Sequence, residues 1–461
     1  MVTPTMDHET RMTGAMNPMR RTTRLLAALM FVAVAGCDET LSVEPSTEVE
    51  VSEAIVDAGS ARAALAGAYD ALQDGNYYGG DYLFFTELPT DNAEHTGTFT
   101  AFADLDLHVT TADNGTIESM WDAIYDGIGR ANTLIALVPG VEELEEEERD
   151  DIIGQAHLLR ALHYHNLVRL WGDVPIRLQP PPNLDELAST TRAPRAQVYQ
   201  QILADLREAE QLMTDEDRTR TGSRGAVAAL RSRVLLYNQD YVGAEAAANA
   251  TLAFGYSLAG SFPDLFEATG NSTPEDIWRA SFTATEFNNV GFYYISKSFG
   301  GRRELAPTAD LAAAFEPGDV RGTWSIKRDP LNRRYGAKFP TTEGAEDLHV
   351  IRLGEVLLNK AEAQARQNKL AEAVATYNLL RVRAGVTPHI LGGVLSTQQQ
   401  VLDAIWLERR RELAFEGDRW PDLVRTNRAA SLLKISAFRT LFPIPQNEVD
   451  VAPSITQNTG Y

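Results

Sequence analysis

The chain has 461 residues, 44% of them hydrophobic and 8% aromatic, enough to bury a large core and too apolar for disorder over most of its length. A formal net charge of −22 argues against a nucleic-acid partner, because a phosphate backbone needs a concentrated basic face and no dense Arg/Lys cluster beyond the amino terminus stands free of acids. The one cysteine excludes an internal disulfide framework and any zinc site built on several thiolates.

Residues Met1–Ala15 carry no structural pattern and precede better starts at Met16 or Met19, so they read as a misassigned start. Met19–Arg24 is a basic n-region and Leu25–Val34 an apolar run too short to span a bilayer, which together form a signal peptide ending at residue 36. Val34-Ala35-Gly36-Cys37 resembles a bacterial lipobox, with cleavage after Gly36 and lipidation of Cys37. Several acyl chains on one cysteine make anchoring stable. Residues 37–50 then form the anchor and a polar tether that includes Asp38–Ser46.

From Ala54 onward apolar residues recur at helical spacing, first at Ala61, Leu65, Tyr69 and Leu72, then from Trp121 to Ile135. An acidic first turn and a Gly172-Asp173-Val174-Pro175 stop delimit a long helix over Glu145–Trp171, and Thr191–Pro194 opens another that runs to about Met213. Tyr237–Ala244 and Gln367–Ala373 superpose as tight turns leading into helices of small residues, the pattern of tetratricopeptide-type repeats. The expected fold is all-α: tetratricopeptide-like helix pairs forming a right-handed scaffold with long irregular loops. Three regions follow, an amino-terminal helical one over 51–255, a loop-rich, ligand-facing one over 256–348 with weak strand alternation at Ile277–Phe282, and a carboxy-terminal one over 349–461.

Motifs along the body resemble those of the SusD/RagB family of outer-membrane nutrient-binding lipoproteins. They include Glu87-Leu88-Pro89-Thr90-Asp91-Asn92, Leu158–Tyr164, Arg169–Pro175, Tyr199–Leu206, Ile351–Leu358, Glu408–Trp420 and Gln457–Tyr461, in family order. The resemblance implies a helical protein tethered to the outer membrane that caps a SusC-like TonB-dependent barrel. Arg409, Arg410 and Arg411, interleaved with Glu408 and Glu412, read as structural cross-links rather than an anion site.

A sugar ring presents an apolar C–H face to an aromatic plane, while its hydroxyls need amide, carboxylate or guanidinium partners. Three places fit: Asn92 with His95, Phe99 and Phe102; Phe287, Asn288, Asn289, Phe292 and Tyr293; and Trp324 in a charged loop. His163 and His165 face different ways on one helix, and with no His-Glu-x-x-His pattern no metal site is expected. No nucleophile elbow or phosphate loop is present, so no catalytic residue and no cofactor is assigned. The reading is a surface lipoprotein that captures oligosaccharide and delivers it to a barrel. Its rivals are a RagB-type peptide binder, a cell-surface glycosidase and a pure protein-interaction module.

Overall fold

The computed structural model describes residues 54–180, 189–214, 218–267 and 272–461. The signal peptide, Cys37 and the tether lie outside the described residues. Ala54–Tyr461 is one compact unit.

The first helices begin where the chain supplies side-chain acceptors. Helix α1 (Ala58–Asp70) opens on a capping box between Asp57 and Ser60. After the short α2 (Asp81–Phe85) and α3 (Thr100–Asp106), Asn114 accepts from the amides of Thr116 and Ile117 to start α4 (Gly115–Leu137). Helix α5 (Glu146–Trp171) carries three glutamates in its first turn, which suit the positive end of the helix dipole, and stops at Gly172 with φ 77. It matches the expected span almost residue for residue. Helix α6 (Arg195–Leu212) is its antiparallel partner, with Pro194 just outside rather than within the first turn.

Nearly every residue of α5 from Asp151 onward is buried, so α5 is the central post of the amino-terminal half. Gly127 lets α4 lie flush on it: a Cβ there would sit 2.6 Å from His163 Nε2. Near the other end of the pair, Trp121 and Trp171 pack edge to face at 5.3 Å.

The two turns that superpose in sequence also share a backbone. Helices α7 (Arg224–Tyr237) and α8 (Tyr241–Ala253) are joined through Gln239 at φ 63, and α10 (Leu353–Arg366) and α11 (Leu370–Arg383) through Asn368 at φ 62. In each turn, three successive amides bond back to the preceding helix. Buried Ala244 and Ala363 allow close stacking of the two pairs. Glu245 ties the pairs together, accepting from Gln364, Gln367 and Lys369. Helix α12 (Gln398–Glu412), with a capping box at Thr397, packs beside α10 and α11.

The loop-rich region contains α9 (Val290–Tyr294) and, of the six short strands among the described residues, β2 (Asp276–Ala280), β3 (Leu305–Pro307), β4 (Ile326–Arg328) and β5 (Arg334–Gly336); β6 (Leu348–Arg352) leads out of it into the carboxy-terminal region, and β1 (Ala93–His95) comes from the amino-terminal half. They form three antiparallel two-stranded sheets, β1–β3, β2–β6 and β4–β5. All five residues of β2 are buried, so the weak alternation read at Ile277–Phe282 gives way to a fully buried strand, paired along its edge with β6 and packed on α7.

The Glu408–Trp420 stretch forms the end of α12 and the turn after it, and its arginines reach outward from the helix. Arg409 bonds Asn359 and Asp422, Arg410 bonds Asn92 and pairs with Asp310, and Arg411 pairs with Glu316. Glu412 accepts from Arg321, Arg352 and Arg383, all buried with it. Pairing within the helix is confined to Arg411–Glu408 at 3.5 Å. Guanidinium forks suit this long-range stapling.

Candidate functional site

Pairing of β1 with β3 sets Ala93 opposite Pro307 and His95 opposite Leu305, and so brings the 93–102 stretch onto the loop before β3. The buried Glu304 carboxylate accepts from the amides of Thr98 and Phe99, both at 2.6 Å, and from Arg302 Nε at 2.8 Å, with His95 Nε2 at 3.1 Å. Burial pushes Glu304 up, but these donors outweigh it and hold it below the usual carboxylate range. The Arg302 guanidinium lies 3.9 Å over the Phe99 ring and 5.9 Å over that of Tyr293. Phe99 and Tyr293 pack at 5.7 Å, and Phe292 and Tyr293 at 5.6 Å. Two candidate stretches that lie far apart in sequence thus form one aromatic shelf.

On the other side of α9 a cleft of about 320 Å³ opens, lined among others by Phe299, Lys327, Tyr335, Thr341 and Glu343. Gly291 seats α9 against the backbone of this wall: a Cβ there would meet Thr341 O at 1.9 Å. Phe299 stands 52% exposed, 5.5 Å from Tyr335. The exposed Phe299 ring and the edge of Tyr335, beside a hydroxyl, an ammonium and a carboxylate, offer what a sugar needs. Trp324 is half-buried behind this wall, donating to Lys338 O at 3.3 Å, with Lys327 Nζ 5.2 Å from its ring.

Three expected contact residues are not available to a ligand. Asn92 is buried, its amide donating to Glu87 and accepting from Arg410. Asn288 is buried, donating to Gly344 O and Glu346 O and accepting from the Val290 amide, so it shapes the start of α9. Phe102 fills the core under the shelf, against Phe85 and Phe99. Asn289 is half-buried, its backbone N–H donating to Gly79 O. Phe287 is 55% exposed in a separate cleft of about 180 Å³, with Gln73, Asp126 and Arg130. His95, Phe99, Phe292 and Tyr293 remain on the shelf, partly exposed.

The structure adds Phe299, Arg302, Lys327, Tyr335 and Thr341. A signal for two of them stood in Phe299-Gly300-Gly301-Arg302-Arg303, an aromatic followed by two glycines and two arginines, with Gly300 at φ 86. At the edge of the shelf, burial and then the charge of Asp74 push Asp81 up to about 7. Burial and the Asp81 charge in turn raise Tyr293. Among the described residues no cluster of three or more His, Cys, Asp or Glu could hold a metal ion.

A family model described as starch-binding and associating with the outer membrane matches residues 41–236, and the SusD family model matches residues 331–437. The chain belongs to the SusD family. A SusD-like protein of Formosa agariphila, P38, is 26% identical over 493 aligned residues, covering 92% of this chain and 96% of its own. A solved SusD superfamily protein of Bacteroides vulgatus shares the fold at TM-score 0.80 and 19% identity, covering 87% of this chain and 99% of its own. A laminarin-binding SusD-like protein does so at TM-score 0.78 and 24% identity, covering 88% and 100%. The tetratricopeptide-type scaffold is thus the SusD fold, with the cleft lined by residues between 295 and 343 and the shelf shared between these loops and the 95–102 stretch.

Proposed function

We propose that this SusD-family chain is a glycan-binding lipoprotein of the outer membrane, anchored through Cys37 at the cell surface, that captures ligand and passes it to a SusC-like TonB-dependent barrel. The observation that carries the binding reading is the cleft beside α9, where exposed Phe299 and the Tyr335 edge stand next to Thr341, Lys327 and Glu343. The laminarin-binding relative supports glycan as the ligand class, and the outer-membrane family description supports the location. His95, Phe99, Phe292 and Tyr293 extend the surface along which a longer ligand lies. A rigid scaffold needs only modest affinity when captured ligand is held close to its transporter.

Affinity electrophoresis and calorimetry with a panel of oligosaccharides and peptides test this. Phe299→Ala is expected to weaken glycan binding about tenfold, and the untagged barrel is expected to co-purify. Binding of peptides alone would establish the RagB-type reading instead. A retaining or inverting glycosidase needs two carboxyl groups across its cleft, and Glu343 is the single acid lining this one; product formation by the isolated protein would overturn the binding reading. Cys37→Ala is expected to release a folded, ligand-competent protein from the membrane fraction.

A further inference from the structure

On a chain of net charge −22, cations gather around the β4–β5 hairpin, from which Lys327 lines the cleft. Lys327 and Arg328 lie on β4, Arg333 and Arg334 on the return into β5, and Lys297, Arg302 and Arg303 on the loop that follows α9. The acids interleaved with them in sequence turn inward: Asp329 is buried and accepts from Ser296 and Arg333, and Glu304 is buried under its four donors. Arg334 approaches Glu94 at 3.6 Å. Among the described residues, no carboxylate comes within 4.0 Å of Lys297, Arg303, Lys327 or Arg328. Their contacts are neutral: Arg303 donates to Arg334 O at 3.0 Å, Arg328 to Asn332 O at 2.7 Å, and Lys327 faces the Trp324 ring.

This arrangement works against folding. Arg328 and Arg334 are direct cross-strand partners, a like-charge pairing that destabilises a sheet. Arg303 sits in left-handed backbone at φ 50, and burial together with Arg333 lowers its guanidinium from the usual range. No ion pair neutralises these cations: Glu343 lines the same cleft as Lys327 without pairing with it, Asp329 and Glu94 act on Arg303 only from a distance, and the hairpin adjoins the cleft beside α9.

We propose that the cleft takes an anionic polysaccharide, whose carboxylate or sulfate groups meet Lys327 in the cleft and Arg303 and Arg328 where the glycan crosses the β4–β5 hairpin. This deepens the glycan reading above and rests on it. Planar guanidinium forks match carboxylate and sulfate oxygens, while exposed Phe299 takes a ring face beside the Tyr335 edge.

The test is calorimetry on the detergent-solubilised full chain with oligogalacturonate, a sulfated galactan oligosaccharide, and neutral laminari- and malto-oligosaccharides. At least one anionic ligand is expected to bind about tenfold or more tightly than the neutral ones, with affinity falling as salt rises. Which anionic arm binds distinguishes uronate from sulfate ester. The triple variant R303A/K327A/R328A is expected to lose that preference without a fall in thermal midpoint, since Lys327 and Arg328 are exposed, Arg303 is half-buried, and removing Arg328 relieves its pairing opposite Arg334. Equal binding of neutral and anionic glycans, or indifference of the triple variant, would overturn the proposal. Polyglutamate or duplex DNA bound as tightly as the glycan would also overturn it, by showing charge without sugar recognition. Failure of every glycan would bring down the proposed function as well, whereas binding of neutral glycans alone brings down only the anionic class.

Discussion

Asp81 opens α2 with its carboxyl beside Tyr293, at a position where burial outweighs the favourable helix end and raises it to about 7 from an ordinary 3.8. Between roughly pH 4 and 7 the folded chain therefore keeps a proton that the unfolded chain has released, and stability falls as pH rises through that window. Asp81→Asn is expected to raise the thermal midpoint at pH 8, by an amount worth about 2 kcal/mol, and to leave it unchanged at pH 4. Equal effects at both pH values would show that the charge is not the cause. Glu412 is the opposite case. Three buried guanidinium groups share it, and burial, which alone would raise its carboxyl, is outweighed by Arg383, Arg352 and Arg321, which hold it well below the ordinary range. Glu412→Gln leaves buried positive charge uncompensated and is expected to cost about 3 kcal/mol or more in denaturant unfolding.

Elements are placed by a few close approaches and turns. Gly291→Ala drives a methyl into the Thr341 carbonyl, so α9 must lift from the wall of the cleft. The expected outcome is loss of glycan binding with far-ultraviolet circular dichroism intact, because α9 is a single short element. The turn between α7 and α8 puts Gln239 at φ 63, where a side chain is strained and glycine is not. Gln239→Gly is expected to stabilise the protein by about 0.5–1 kcal/mol, read as a rise in the unfolding midpoint. A fall would mean that the Gln239 side chain makes contacts worth more than the strain.

Across the whole molecule two sets of groups set the acid limit. Burial, then the charge of Arg130, lowers His163 to about 3, so below pH 6.5 the unfolded chain takes up a proton that the native one refuses. Arg352 and Lys338 overcome burial to hold Glu416 at about 2, and Arg409 and Arg425 do the same for Asp422, so those contributions fade below about pH 4. Asp81 and Glu87, the latter raised by burial to about 8, act in the reverse sense above pH 4. The thermal midpoint is therefore expected to change little from roughly pH 4.5 to 6.5, where the two sets oppose, and to drop steeply below pH 4. A steady decline from pH 6.5 would show that the buried histidines dominate.

Helix spans were legible because periodicity, an acidic first turn and Gly172 are local signals, and the equivalence of Tyr237–Ala244 with Gln367–Ala373 held because a turn's backbone depends on its own few residues. The aromatic stretches were legible as composition, and Phe99 and Tyr293 do share a shelf. Their meeting was not, since it depends on β1 pairing with a strand from the other half of the chain. Asn92 and Asn288 have the same amide chemistry whether it faces a sugar or closes a buried hydrogen bond, and only packing told the two apart. Along the chain, acids are interleaved with the basic residues from Lys297 to Arg334, but folding buries Asp329 and Glu304 and leaves Lys297, Arg303, Lys327 and Arg328 without an ion-pair partner among the described residues. Local chemistry and period thus determined the helices, and the resemblance of the chain's motifs pointed to the family. Which side chains face a ligand was decided by tertiary structure, because burial and charge pairing join residues that the sequence keeps far apart.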